Sequence, residues 1–322
     1  MLTTSIVLAS VLNPTPFWSG PLTLAAPDPA PAPAADPSPR AVAPLGQSED
    51  TSAAGSVGGG WVWQLRTDLT DTPSGRFSHD RGHVLARARI PLRDDLELLL
   101  SGRYQRDNFS FENLVAPWSS VNTTHIDAGL QWQATRQWQV FGGGQARWAA
   151  EQGGSLGDGF EGGGMIGAAY AFSRELVVGG GVGVRSRIED SLLIYPVIVL
   201  DWQISERLML STNLTTGWAN QSGAELVYTL DDRVDVGISA VFDYQRFRLG
   251  DDTPTPGGVG TTEALPVMAF IDFDVCPTGS LRAFVGATVY GRLKSTTAAG
   301  SDVWASDHDP APIFGVQGTI RF

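Results

Sequence analysis

Arginines and carboxylates recur at alternate positions of this sequence, the spacing that gathers ionisable groups on one face of a β-strand. Arg66, Arg87, Arg89 and Arg103 hold such positions near the start of the patterned region, and Arg282, Arg292 and Arg321 near its end. Glu225, Asp235, Asp243, Asp272 and Asp274 hold them in between. The chemistry open to these groups is electrostatic. Walls of opposite charge facing each other across water orient dipolar solutes and set ion preference in a narrow passage. The structural alternative is cross-strand pairing: Arg89 and Glu97 lie symmetrically about Arg93, and Asp274 and Arg282 about Thr278, at roughly 0.2–1 kcal/mol a pair.

Bond-making chemistry finds little support. His79, His83, His125 and His308 are scattered and lack metal-ligand spacing. Asp307-His308-Asp309 and Asp251-Asp252 would supply a carboxylate-oriented imidazole base at a surface rim. The same carboxylates suit weak calcium binding but form no EF-hand series. No glycine-rich loop joins a strand to a helix as a phosphate cradle would. Cys276, the single cysteine, stands in a turn before Pro277 and excludes an intrachain disulfide framework. No enzyme activity, cofactor or metal centre is expected.

Positioning these charges requires one element repeated many times. From Trp61 to Phe322 apolar and polar residues alternate, as in Ile126, Ala128, Leu130 and Trp132 against His125, Asp127, Gln131 and Gln133. Short polar turns recur at Asp94-Asp95, Thr135-Arg136, Ser173-Arg174, Ser205-Glu206, Asp231-Asp232 and Pro277-Thr278-Gly279. Longer connections fall near 70–82, 107–122, 149–159, 186–191, 219–223, 247–263 and 293–310. Six short turns and seven longer connections join about fourteen strands, within a range of twelve to sixteen, each of about 10–12 residues. The expected fold is all-β: a closed antiparallel up-and-down transmembrane β-barrel.

Aromatic residues fix which face is outward. Trp61, Trp63, Trp132, Trp138, Tyr170, Phe172, Trp202 and Tyr228 read as one level near the short turns. Tyr104, Trp148, Phe160, Trp218, Phe242 and Tyr244 read as a second level near the long loops. Two rings of amphipathic side chains bounding an apolar band are the girdles of a membrane barrel. Inward Gly163, Gly167, Gly179, Gly181 and Gly183 would leave the lumen room.

The last strand, Phe314, Val316, Gly318, Ile320 and Phe322, alternates to a terminal aromatic. With it, residues 60–322 resemble the bacterial outer-membrane β-barrel class. Gly142-Gly143-Gly144 and Gly179-Gly180-Gly181 fit the class without pointing to a member. The resemblance implies an outer-membrane location, the lipid bilayer as partner, and recognition by the barrel-assembly machinery through the strand ending in Phe322. Omptin-type proteases of this class place Asp and His at the rim, but on ten strands rather than fourteen.

Composition narrows the rest. A net charge of −12 argues against a nucleic-acid partner. The longest apolar run, Leu192 to Leu200, has nine residues against the ~18–20 of a spanning helix. Residues 1–25 read as a possible signal peptide, atypical because no Lys or Arg precedes Arg40. Residues 26–59 read as a Pro/Ala-rich disordered linker. The expected function is a porin-like channel for passive diffusion of ions or small hydrophilic solutes, monomeric by default. The alternative is a non-conducting surface or structural barrel whose acidic loops, including Asp107, Glu112, Asp158, Glu189 and Asp190, bind ligands or envelope components. Apolar-substrate transport, along inward Met165, Leu193, Val197, Val199 and Phe270, ranks below both.

Overall fold

The computed structural model describes residues 54–188, 192–212 and 222–322. The signal-peptide expectation, the linker up to residue 53, Trp218, Glu189 and Asp190 lie outside the described residues.

The strands are β1 (Ala54–Asp68), β2 (Arg76–Arg93), β3 (Leu96–Glu112), β4 (Ser120–Gln133), β5 (Trp138–Glu151), β6 (Phe160–Ala171), β7 (Leu176–Ser186) and β8 (Leu192–Ser205). They continue with β9 (Leu208–Ser211), β10 (Ser222–Asp231), β11 (Val234–Arg248), β12 (Val259–Cys276), β13 (Gly279–Thr296), β14 (Asp302–Asp307) and β15 (Ala311–Arg321). Successive strands pair antiparallel from β1 to β13; β13 also pairs with β15, and β15 with β1, so the sheet has no free edge. β14 and β15 form one staggered strand, interrupted at His308–Pro310, where Pro310 offers no N–H to a ladder. The result is a closed fourteen-strand up-and-down barrel.

Its two faces invert those of a soluble core. Along β4, His125, Asp127 and Gln131 are buried inside, whereas Ile126, Leu130 and Trp132 stand exposed outside. The same holds for Val178, Val182 and Val184 on β7 and for Ile194 and Ile198 on β8. In water such an apolar band is a liability, and in hydrocarbon it is the favourable solvent-facing surface.

Several boundaries differ from the sequence reading. β1 begins at Ala54, so residues 54–59 belong to the wall: Gly55 exchanges both backbone hydrogen bonds with Phe322, at 2.7 and 2.9 Å. That shift puts Trp61 at the middle of β1 and Trp63 on its loop side, where Trp63 stacks on Phe314 at 5.3 Å. Tyr244 is buried rather than in the outer girdle. Asp107 is a fully buried strand residue, because β3 runs on to Glu112 and the connection shrinks to 113–119.

Two of the five inward glycines leave less room than expected, since rings occupy it. Gly167 faces the Phe141 ring and Gly183 the Tyr195 ring, each on the directly paired residue of the neighbouring strand. Gly237 with Phe270, Gly260 with Phe247, and Gly315 with Phe284 repeat the arrangement inside, and Gly82 with Trp61 outside.

The wall is uneven. β2, β12 and β13 have 18 residues, β6 twelve, β7 eleven and β10 ten. A tilted strand crosses hydrocarbon in ~9–11 residues, so the tall strands overshoot by roughly 15–20 Å on the loop side. The excess folds inward. Described pairing of β11 with β10 stops at Phe242; beyond it Asp243 to Phe247 are buried on both faces, and Arg248 meets Ala150 of β5 in a parallel contact across the lumen.

Candidate functional site

The lumen is best described from the short-turn mouth upward. At the mouth, Arg321 lies 3.9 Å from Asp274 and Arg89 3.4 Å from Glu97, all partly open to solvent. Arg87 and Arg103 face inward from β2 and β3 near Asp127, which accepts a 2.5 Å hydrogen bond from Ser101 and lies 3.0 Å from His125. Asp235 faces Asp272 across the β11–β12 ladder.

Higher on the opposite wall, Arg282 forms a compact centre. Its Nε and Nη2 donate to the two oxygens of Asp272 at 2.7 and 2.6 Å, and its Nη1 donates to Glu225 at 2.8 Å. The guanidinium sits 3.9 Å over the Phe270 ring, at the edge of an apolar cluster of Val62, Val241, Met268, Phe284 and Ile313. Arg282 therefore neutralises the acidic wall instead of joining the arginines of β2 and β3. Its partner is not Asp274, as turn symmetry suggested. The strand bulge between Asp274 and Cys276 breaks that symmetry and leaves Asp274 near Arg321.

Toward the loops the inward segment of β11 is clamped to both sides. Arg81 donates through Nε to Asp107 at 2.7 Å, and its Nη2 lies 2.8 Å from Asp243; the Arg81 and Asp107 side chains are almost wholly buried. Gln105 donates to Asp107 at 2.7 Å and to Gln245 at 3.2 Å. On the far side, Arg147 Nη1 donates to Glu161 at 2.7 Å and to the Arg246 carbonyl at 2.8 Å. Above this level Trp118 closes the axis, with ring centroids 5.3–6.0 Å from Phe109, Phe111, Phe247 and Trp304. His308, against Phe77 at 5.0 Å, is held below the usual imidazole range by burial. A small cavity, about 30 Å³ of free space, lies beneath this plug between Gln64, Arg81, Asp243 and Thr288.

Two of the arginines expected in the lumen are elsewhere. A bulge between Gln64 and Thr67 turns Thr67 inward and leaves Arg66 at the exposed rim, 2.5 Å from Glu112. A bulge where Leu265 and Pro266 meet β13 shifts the alternation, so Leu293 is buried and Arg292 is exposed, 3.7 Å from Asp307. Conversely, the sequence offers Asp107 only as an acidic loop residue, whereas it is a buried lumen acid, and Arg81, Glu161 and Arg246 are site residues that the sequence reading does not reach. Arg81 continues the spacing of His83 and Arg87, and Asp107 that of Arg103 and Gln105, but both lay in segments read as connections.

Several polar atoms in this interior have no protein partner among the described residues. Gln64 Nε2, His83 Nδ1, Gln131 Oε1, Gln139 Oε1, Arg147 Nη2 and Arg185 Nε are buried without one. In a dry core each would cost about 1–3 kcal/mol. Buried polar atoms of this kind are ordinarily satisfied by water where no protein partner is at hand.

An apolar outer band, a closed ladder and a polar interior together define the transmembrane β-barrel class. No protein-family model matches the sequence, and no curated protein matches it. Among solved structures, the chain is similar to an outer membrane channel from Pseudomonas putida F1 (10% identity, TM-score 0.45, 86% of this chain and 98% of that one). It is also similar to the Pseudomonas putida toluene transporter TodX (8% identity, TM-score 0.42, 83% and 89%). The KdgM porin is a further likeness (8% identity, TM-score 0.32, 82% and 99%).

Proposed function

We propose that this protein is a passive outer-membrane channel of narrow bore for ions and small hydrophilic solutes. The observation that carries the reading is the polar interior: charged and amide side chains line the inside of a cylinder whose outside is apolar, and several buried polar atoms there have no protein partner among the described residues. Diffusion along such a lining needs no catalyst, and the loop-side clamp limits its width. Entry into the membrane fits recognition of the terminal strand ending in Phe322, which zips onto β1. Purified barrel showing heat-modifiable gel migration, added to a planar bilayer, is expected to give small stepwise conductances; a folded preparation that never conducts overturns the reading.

The second reading is a non-conducting barrel, favoured by one observation, the Trp118 plug. It predicts no conductance even when the plug residue is removed.

A further inference from the structure

The plug is carried by two segments that stand away from the wall. Trp118 belongs to the connection 113–119, and Phe247 and Leu249 to the end of β11 and the chain just beyond it. The two are far apart in sequence, yet one wall side chain holds both. Glu151, the last residue of β5, is 5% exposed. Its Oε1 accepts hydrogen bonds from the Ser119 backbone N–H at 2.8 Å and from the Ser119 hydroxyl at 3.1 Å. Its Oε2 accepts one from the Gly250 backbone N–H at 3.0 Å. Ser119 follows Trp118 directly, and Gly250 follows Leu249.

Opposing tendencies meet at this point. The Trp118 ring has no polar anchor of its own, since its Nε1 is buried without a partner among the described residues. An indole N–H in that position favours any arrangement that returns it to water. The ring is held by contacts with Phe109, Phe111, Phe247 and Trp304, which are apolar and weakly directional. Its chain is held more firmly. The Phe109 N–H donates to the Ser119 carbonyl at 3.0 Å, and Glu151 grips the same residue from the other side. Hydrogen bonds to an ionised acceptor are about twice as strong as neutral ones. The Glu151 carboxylate is thus the strongest polar tie on both plug segments, and it joins them to one point of the wall.

We propose that Glu151 is the latch of an openable plug: its carboxylate keeps Trp118 in the axis, and releasing it lets the connection 113–119 and the end of β11 move aside. Glu151 acts through Trp118 and is a positioning residue. The conduction half of the proposal rests on the channel reading; the latch itself does not. Glu151→Gln keeps the size of the side chain and one acceptor, but turns an N–H toward one of the two donor segments. Ser119→Ala removes the 3.1 Å bond alone and serves as the milder variant.

Two measurements test it. In a planar bilayer, Trp118→Ala is expected to stay at a higher conductance level that the parent visits only briefly. E151Q is expected to occupy that level about tenfold more often than the parent, the factor one charge-assisted hydrogen bond contributes to an equilibrium. S119A should act in the same direction and more weakly. In the W118A background E151Q should add nothing, because the ring it positions is gone. Equal occupancy in parent, E151Q and S119A overturns the latch, as does an E151Q effect that persists without Trp118. The second measurement needs no conduction. Leu249, 1% exposed beside the latch, is replaced by cysteine in a Cys276→Ser background, since Cys276 is an exposed free thiol. With E151Q the new thiol is expected to react with a water-soluble thiol reagent about tenfold faster. Equal rates overturn the latch. A barrel that never conducts but labels faster with E151Q sinks the channel and keeps the latch; conduction with equal labelling rates does the reverse.

Discussion

Arg282 satisfies two acids at once, with Asp272 gripped by a two-pronged bond and Glu225 by a third nitrogen. Desolvation makes such a centre costly to assemble and costlier to break. Arg282→Met leaves two carboxylates facing apolar Phe270, Phe284 and Met268, and is expected to lower stability by about 3–5 kcal/mol, read from urea unfolding in micelles. Adding Glu225→Gln and Asp272→Asn removes the orphaned charge and is expected to restore most of the loss. If the single and triple variants unfold alike, Arg282 acts by packing alone. The same logic separates it from Arg66 and Arg292, whose partners are solvated; truncating either is expected to change stability by less than about 1 kcal/mol.

At the scale of elements, the segment from β3 to β4 and the end of β11 determine how open the cylinder is. Trp118 is 1% exposed and reaches the axis from a connection of seven residues, 113–119. Trp118→Ala is expected to cost about 3–5 kcal/mol and to raise single-channel conductance, because the ring removed is the one that fills the axis. Unchanged conductance would place the limiting width lower, at the arginines of β5, β7 and β11. This plug was not legible in the sequence. Strand number, orientation and the inverted faces follow from a strict alternation with period two, which β4 shows without interruption from His125 to Gln133. Where the alternation slips by one, as between Gln64 and Thr67 or opposite Pro266, the inside becomes outside; no local signal marked either bulge. The clamp joins Arg81 to Asp243, residues far apart along the chain, and it depends on β11 leaving the wall, which is a tertiary event. The segment's own pattern carries one signal, Arg246, a charge at the alternation position that Ile238 and Ala240 turn outward.

For the whole molecule, the decisive question is the solvent outside. Ile126 is 51% exposed at the centre of β4. If water surrounds it, Ile126→Arg falls within about 0.5 kcal/mol of neutral, as for an ordinary surface change. If acyl chains surround it, the same change costs about 2–4 kcal/mol, and reversible unfolding in lipid vesicles is expected to show the larger figure. A final consequence follows from the six aromatic rings seated over glycines around the circumference. Each ring drops into a dent only one position wide, so sliding a hairpin along its neighbour unseats it and drives the ring into a side chain. In a cylinder, no two staves can slip alone, since the last must still meet the first. The dents therefore act as detents on a combination lock, and together they admit a single stagger at which the hoop can shut.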